Sequence, residues 1–339
     1  MKKHVRIFIF MIFGLTVGLV ACGEKSQEDV VSKLEDNVET MEGYKATAEM
    51  TMHTGDEEQI YDIDIWHKKD DLYRVSLSSS TDEKESQVII KNEEGVFVLT
   101  PSLDKRFKFQ TDWPDNSSQP YLFQSLVNDI SEDQEATFEA TDNHYMFETE
   151  TNYQSNNNLP YQKVYFSKKE FHPVLVQVLD RDKEALVEVN FTQFEMDPAF
   201  NEDDFSIDEN MEEDSEDVAA SKDQEGDDTL EVTFPLETAG AELDEKKEIT
   251  LDDGKRVILT FTGEKDFTLV QEKLKSVPTS SQPKEAEGDI VNLGFTIGAL
   301  ADDKIEWTYN GVDFMLASEE LTKEELIEVA KSVQGKEAK

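Results

Sequence analysis

From Ala46 onward the apolar residues fall on alternate positions, and that spacing commits this part of the chain to strands. Successive side chains of a strand point to opposite faces, whereas a helix brings together residues three and four apart. Ala46, Ala48, Met50 and Met52 form the first set, Tyr61, Ile63 and Ile65 the second, and Tyr73, Val75 and Leu77 the third. Thr54-Gly55-Asp56 and Lys69-Asp70-Asp71 supply turn chemistry between them, so consecutive strands should pair antiparallel. Residues 88–91 and 96–100 flank Asn92-Glu93-Glu94-Gly95 as a further hairpin, which Pro101 ends. Alternation resumes at 137–140, 144–149, 163–167, 174–179 and 185–194.

Two segments break this rhythm with helical spacing. Val30, Val31, Leu34, Val38 and Met41 predict a helix over 28–42, with Gly43 ending it, and Tyr121, Leu122, Leu126 and Ile130 predict another over 120–130. Many short strands with two inserted helices give an α+β fold: an incomplete antiparallel β-barrel, a curved sheet capped by helices, over 28–208. Residues 209–228 are nearly all acidic, small or polar, and are expected to be a solvated acidic linker.

A small α+β domain is expected over 229–339. Leu230, Val232 and Phe234 alternate, as do Val257, Leu259 and Phe261. Residues 293–297 and 305–309 add strand material, and Asn310-Gly311 marks a tight hairpin into 312–316. The closing helix has clear start signals, with Thr322 as N-cap, Glu325 three residues on and Leu321 placed to pack on Leu326. Leu326, Val329, Ala330 and Val333 form its buried stripe.

The N-terminus carries a different kind of signal. Lys2, Lys3 and Arg6 precede an apolar run over 7–21, broken by Gly14, Thr16 and Gly18, the layout of a secretory signal over 1–21. A spanning helix needs about 20 apolar residues. This run stops short of that at Cys22 and a polar stretch. Leu19-Val20-Ala21-Cys22 resembles the lipobox of bacterial lipoproteins, which implies cleavage before Cys22, diacylglycerol on its sulfur and a lipidated tether over 22–27. The resemblance places the mature protein on the outer face of the cytoplasmic membrane, its partner there being the bilayer itself. Cys22 is the single cysteine, so no internal disulfide competes for it, and two or three acyl chains make such an anchor durable. The plain alternative is a secreted protein with a cysteine near its cleavage point.

Charge excludes one partner class. With 33 basic and 76 acidic residues the formal net charge is -43, and nucleic acid needs a basic surface. No catalytic motif stands out. His53, His67, His144 and His172 are scattered without metal-ligand spacing, and neither Gly-x-Ser-x-Gly nor His-Glu-x-x-His occurs. Asp62 and Asp64 share one strand face, the pattern of a solvated surface. No enzyme, cofactor or metal is expected.

The element order resembles the LolA and LolB type of lipoprotein carrier, and residues 66–75, 87–92 and 191–207 strengthen the likeness. With the acidic segment and the stretch 307–333, the whole chain resembles the YdcC-type sporulation-associated lipoproteins of Gram-positive bacilli. That resemblance implies a half-barrel whose concave face leaves an apolar cavity for lipid or lipoprotein acyl chains. A carrier that shuttles cannot itself be anchored, so Cys22 points to a local role on one membrane. Met50, Met52, Ile63, Ile65, Tyr73 and Val75 would share the concave face. They could line a lipid cavity, or fill a core in a protein that acts on an envelope protein partner as sensor, regulator or scaffold.

Overall fold

The computed structural model describes residues 25–53, 58–79, 86–153, 159–201, 203–218, 230–252, 254–274, 283–293 and 296–333. Helix α1 (Gln27–Thr40) opens the fold and is started by a capping box in which Ser26 and Asp29 each satisfy the other's backbone N–H. Strands β1 (Gly43–Met52), β2 (Gln59–Lys68), β3 (Leu72–Ser79), β4 (Gln87–Asn92), β5 (Gly95–Thr100) and β6 (Lys105–Phe109) follow as an antiparallel meander. Helix α2 (Phe123–Glu132) comes next, then β7 (Thr137–Ala140), β8 (His144–Glu150), β9 (Tyr161–Ser167), β10 (Pro173–Leu179) and β11 (Ala185–Met196). β11 returns to pair with β1, so the two meanders join into one curved sheet that stays open.

The inner face of that sheet is the main core. Val30 and Leu34 of α1 and Leu126, Val127 and Ile130 of α2 are buried against it, each worth roughly 1.5–3 kcal/mol of transfer free energy. Gly43 begins β1 where the chain leaves α1. A Cβ there would lie 2.3 Å from the His67 carbonyl oxygen, so no larger residue fits without a shift.

Helix α3 (Ile207–Val218) takes the place of the first part, 209–218, of the expected solvated linker, whose remainder, 219–228, lies outside the described residues. Seven of the helix's twelve residues are acidic and only Ile207, Met211 and Val218 are apolar, too sparse a stripe to announce a helix, and tertiary contacts hold its first turns. Met211 completes a small second core with Val88, Ile90, Phe97 and Leu99 on the outer face of β4 and β5. Arg74 Nε donates to Asn210 Oδ1 at 2.6 Å, and Arg106 pairs with Asp208 at 2.9 Å. The near-continuous apolar runs of β4 and β5 are the sequence sign of strands covered on both faces.

The remainder forms a seven-stranded sheet in the order β12-β13-β14-β19-β18-β17-β16. Its strands are β12 (Ala241–Leu251), β13 (Gly254–Gly263), β14 (Phe267–Leu274), β16 (Asp289–Asn292), β17 (Ile297–Leu300), β18 (Lys304–Tyr309) and β19 (Val312–Ala317). Leu230, Val232 and Phe234 pack on its core but form no strand, beyond a single bridge at Phe234. Asn310 and Gly311 take φ of 50° and 71°, as a two-residue hairpin turn with right-handed strands requires. Helix α4 (Lys323–Lys331) carries the expected Thr322–Glu325 capping box, and Leu321 and Leu326 are both buried.

This second sheet is docked on the first. Strand β15 (Lys284–Ala286) leaves it to pair parallel with β6, making the large sheet twelve-stranded. Ala286, Ile290, Ile297 and Ala299 belong to the main core.

Candidate functional site

The six inner-face positions named from sequence do share one face. Ala46, Ile65 and Val75 are register partners across β1, β2 and β3, and Met50 lies opposite Tyr61. All six are buried, with Ile65 and Val75 at 0% exposure and Tyr73, the most accessible, at 5%. Ile63, Ile65 and Val75 are closed over by the core. Tyr73 meets Trp113 edge-on at 5.6 Å and His67 at 4.5 Å. Met50 and Met52 differ, because they border a cleft of about 90 Å3 with Tyr121, Tyr153, Val187 and Ile290.

That cleft lies at the end of the sheet where Met52 finishes β1. Polar groups border it in an ordered way. Gln119 Nε2 donates to Ser117 Oγ at 3.0 Å while its Oε1 accepts from Tyr121 Oη at 3.1 Å. Ser118 Oγ and Gln162 Nε2 donate to the two carboxylate oxygens of Asp129, at 2.9 and 2.7 Å. Tyr153 Oη donates to Gln162 Oε1 at 3.1 Å. Burial raises the Asp129 carboxyl from its ordinary 3.8 to about 6, and these donors only partly offset that.

At the opposite end of the inner face the polar groups are sealed among rings. Tyr44 stacks on Phe194 at 5.0 Å, and its hydroxyl accepts from the Phe123 N–H at 3.2 Å. Burial pushes the Tyr44 and Tyr73 hydroxyls well above the ordinary tyrosine range, and lowers the His67 imidazole to about 4. His67 is therefore neutral at pH 7, and its Nδ1–H donates to the Leu72 carbonyl at 3.2 Å. Among the described residues no three His, Cys, Asp or Glu side chains are placed to hold a metal ion. None of the described helices is long and apolar enough to cross a membrane. Cys22 and the segment 1–21 lie outside the described residues.

The joint between the sheets uses residues that sequence reasoning missed. Gln87 Oε1 accepts from Ile297 N at 2.7 Å and from Thr296 Oγ1 at 3.2 Å, in a buried setting. Asp289 Oδ1 accepts from Thr111 Oγ1 at 3.1 Å and from Asn116 Nδ2 at 2.9 Å. Lys105 forms an ion pair with Asp313. Gln87 was visible only as a polar residue opening an apolar strand, and nothing local connects it to Ile297.

The matched family model, described as Sporulation protein YdcC-like, covers residues 2–205, from the N-terminal segment to the residues just before α3. The chain belongs to the YdcC-like sporulation protein family. A family relative from Bacillus subtilis (strain 168), Sporulation protein YdcC, is 48% identical over 342 residues and aligns over 100% of both chains, so the second sheet and its joint lie within the aligned length. Among solved structures, the Pseudomonas aeruginosa MucA/MucB complex aligns over 91% of this chain and 100% of that one, at 13% identity and a TM-score of 0.35. A LolA superfamily protein from Nitrosomonas europaea aligns over 55% of this chain and 100% of that one, at 8% identity and a TM-score of 0.32.

Proposed function

We propose that this chain is an exported sporulation lipoprotein, held by acylated Cys22 on the outer face of the cytoplasmic membrane, whose closed half-barrel is a platform for an envelope protein. Its parts are the signal 1–21, the tether 22–27 and two sheets locked at the joint. The observation that carries the reading is the filled inner face. Ligand pockets usually span about 300–1,000 Å3. The cleft at Met50 and Met52 offers about 90 Å3. No residue is assigned a catalytic role.

Three measurements test this. Crosslinking in sporulating cells should trap a stoichiometric protein partner, and Cys22→Ser should move the protein from the membrane to the soluble fraction. Native mass spectrometry of the mature chain without its lipid should show no retained lipid. A bound phospholipid or long-chain fatty acid at one per chain would overturn the platform reading. It would favour the second reading, a local acyl-chain receptor, which draws its support from the Met50 and Met52 cleft.

A further inference from the structure

The cleft has an unusual donor in its wall. Lys331, in the last turn of α4, reaches it from the second sheet's side of the joint. Surrounding protein strips water from its ammonium and holds it below the ordinary lysine range. Glu328 acts on it through space, but Lys331 has no hydrogen bond or ion pair among the described residues. Its place in the last turn of α4 suits the helix dipole. That gain is small beside the cost of desolvating an ammonium.

Ser117 adds a second donor. Its Oγ accepts from Gln119 Nε2, and its own proton has no acceptor among the described residues. The neighbouring hydroxyls and amides are committed elsewhere, Tyr121 to Gln119, Tyr153 to Gln162, and Ser118 and Gln162 to Asp129. The cleft is thus lined both by free donors and by apolar surface from Met50, Met52, Val187 and Ile290. Its volume of about 90 Å3 is below that of the roughly 150 Å3 apolar cavity known to take benzene.

We propose that this cleft binds a small aliphatic carboxylate, with the acid group on Lys331 and Ser117 and a short tail against Met50 and Met52. The site needs both sheets, since Lys331 comes from one and the methionines from the other. It is independent of the platform reading, which a small bound acid neither supports nor opposes.

Methionine-methyl NMR of the full mature chain, titrated with butyrate, hexanoate and dodecanoate, tests it. Saturable shifts of the Met50 and Met52 methyls with butyrate are expected, with affinity levelling off by hexanoate. Butanol and butylamine should bind about tenfold or more weakly, the worth of a charge-assisted hydrogen bond. Lys331→Met should bring butyrate down to the butanol level, and Ser117→Ala should weaken it less. No saturable shift with butyrate, equal binding of butyrate and butanol by the parent, or affinity still climbing from hexanoate to dodecanoate would each overturn the proposal. Only the last also counts against a closed half-barrel.

Discussion

Gln87→Met is the sharpest probe of the joint, because it keeps the side chain's length and removes one acceptor. Gln87 Oε1 serves two donors, but they do not lose equally. The single Thr296 hydroxyl proton is shared with the Thr308 carbonyl, the nearer acceptor at 2.8 Å, so it stays satisfied. The Ile297 N–H would be left buried without a partner. Such an orphan costs about 1–3 kcal/mol, and a buried thioether recovers little of it because sulfur accepts weakly. A loss of about 2 kcal/mol is expected, close to thirtyfold in the opening equilibrium of the joint. Hydrogen exchange followed by mass spectrometry reads this directly. Residues 296–300 should exchange faster by that factor while the β8–β9 hairpin stays protected. Exchange at 296–300 within threefold of the parent would refute the claim that this acceptor holds the two sheets together.

Three further perturbations follow from the packing. Burial raises Asp129 to about 6 and lowers His67 to about 4, so their contributions to stability run in opposite directions with pH. The Asp129 contribution is full below its unfolded value near 4 and fades as pH rises through 6, whereas that of His67 is full above 6.5 and fades as pH falls through 4. Relative to the parent, Asp129→Asn should therefore gain about 3 kcal/mol between pH 4 and pH 7, and His67→Phe should lose about 3 kcal/mol over the same interval, read by urea unfolding at each pH. Parallel profiles for parent and variant would contradict the assignment. Met211→Ala should cost about 2 kcal/mol and loosen α3, seen as faster proteolysis within 207–218 and new dye binding at Phe97 and Leu99. Gly43→Ala should cost about 1–3 kcal/mol in thermal unfolding, because its Cβ meets the His67 carbonyl oxygen.

The elements readable from sequence are those whose local chemistry agrees with their packing. The alternation in β1, β2 and β3 placed Met50, Ile63, Ile65 and Val75 on one face, and the Thr322–Glu325 box and Asn310-Gly311 turn formed as expected. What escaped notice is stabilised from a distance. β12 is an edge strand exposed along most of its length, so selection for burial leaves no alternation in it. β15 is three residues long and exists because β6 offers it an edge. α3 has a sequence that favours solvent, and Arg74, Arg106 and the outer faces of β4 and β5 hold it. The cleft was half visible. Met50 and Met52 were named from their spacing, but Lys331 sits 279 residues beyond Met52 and no periodicity joins them.

The parallel pairing of β15 with β6 also sets an order of events during synthesis. Residues 105–109 leave the ribosome long before residues 284–286, so the large sheet must wait with that edge open while the second sheet is made. An open edge invites pairing with another copy of the chain. Here it reads Lys105-Arg106-Phe107-Lys108-Phe109, with three basic residues in a strongly acidic protein, and two such edges repel each other. The strand that closes the sheet arrives last, on a segment tied to its own sheet, and the delay itself costs little because closure entropy grows only slowly with loop length.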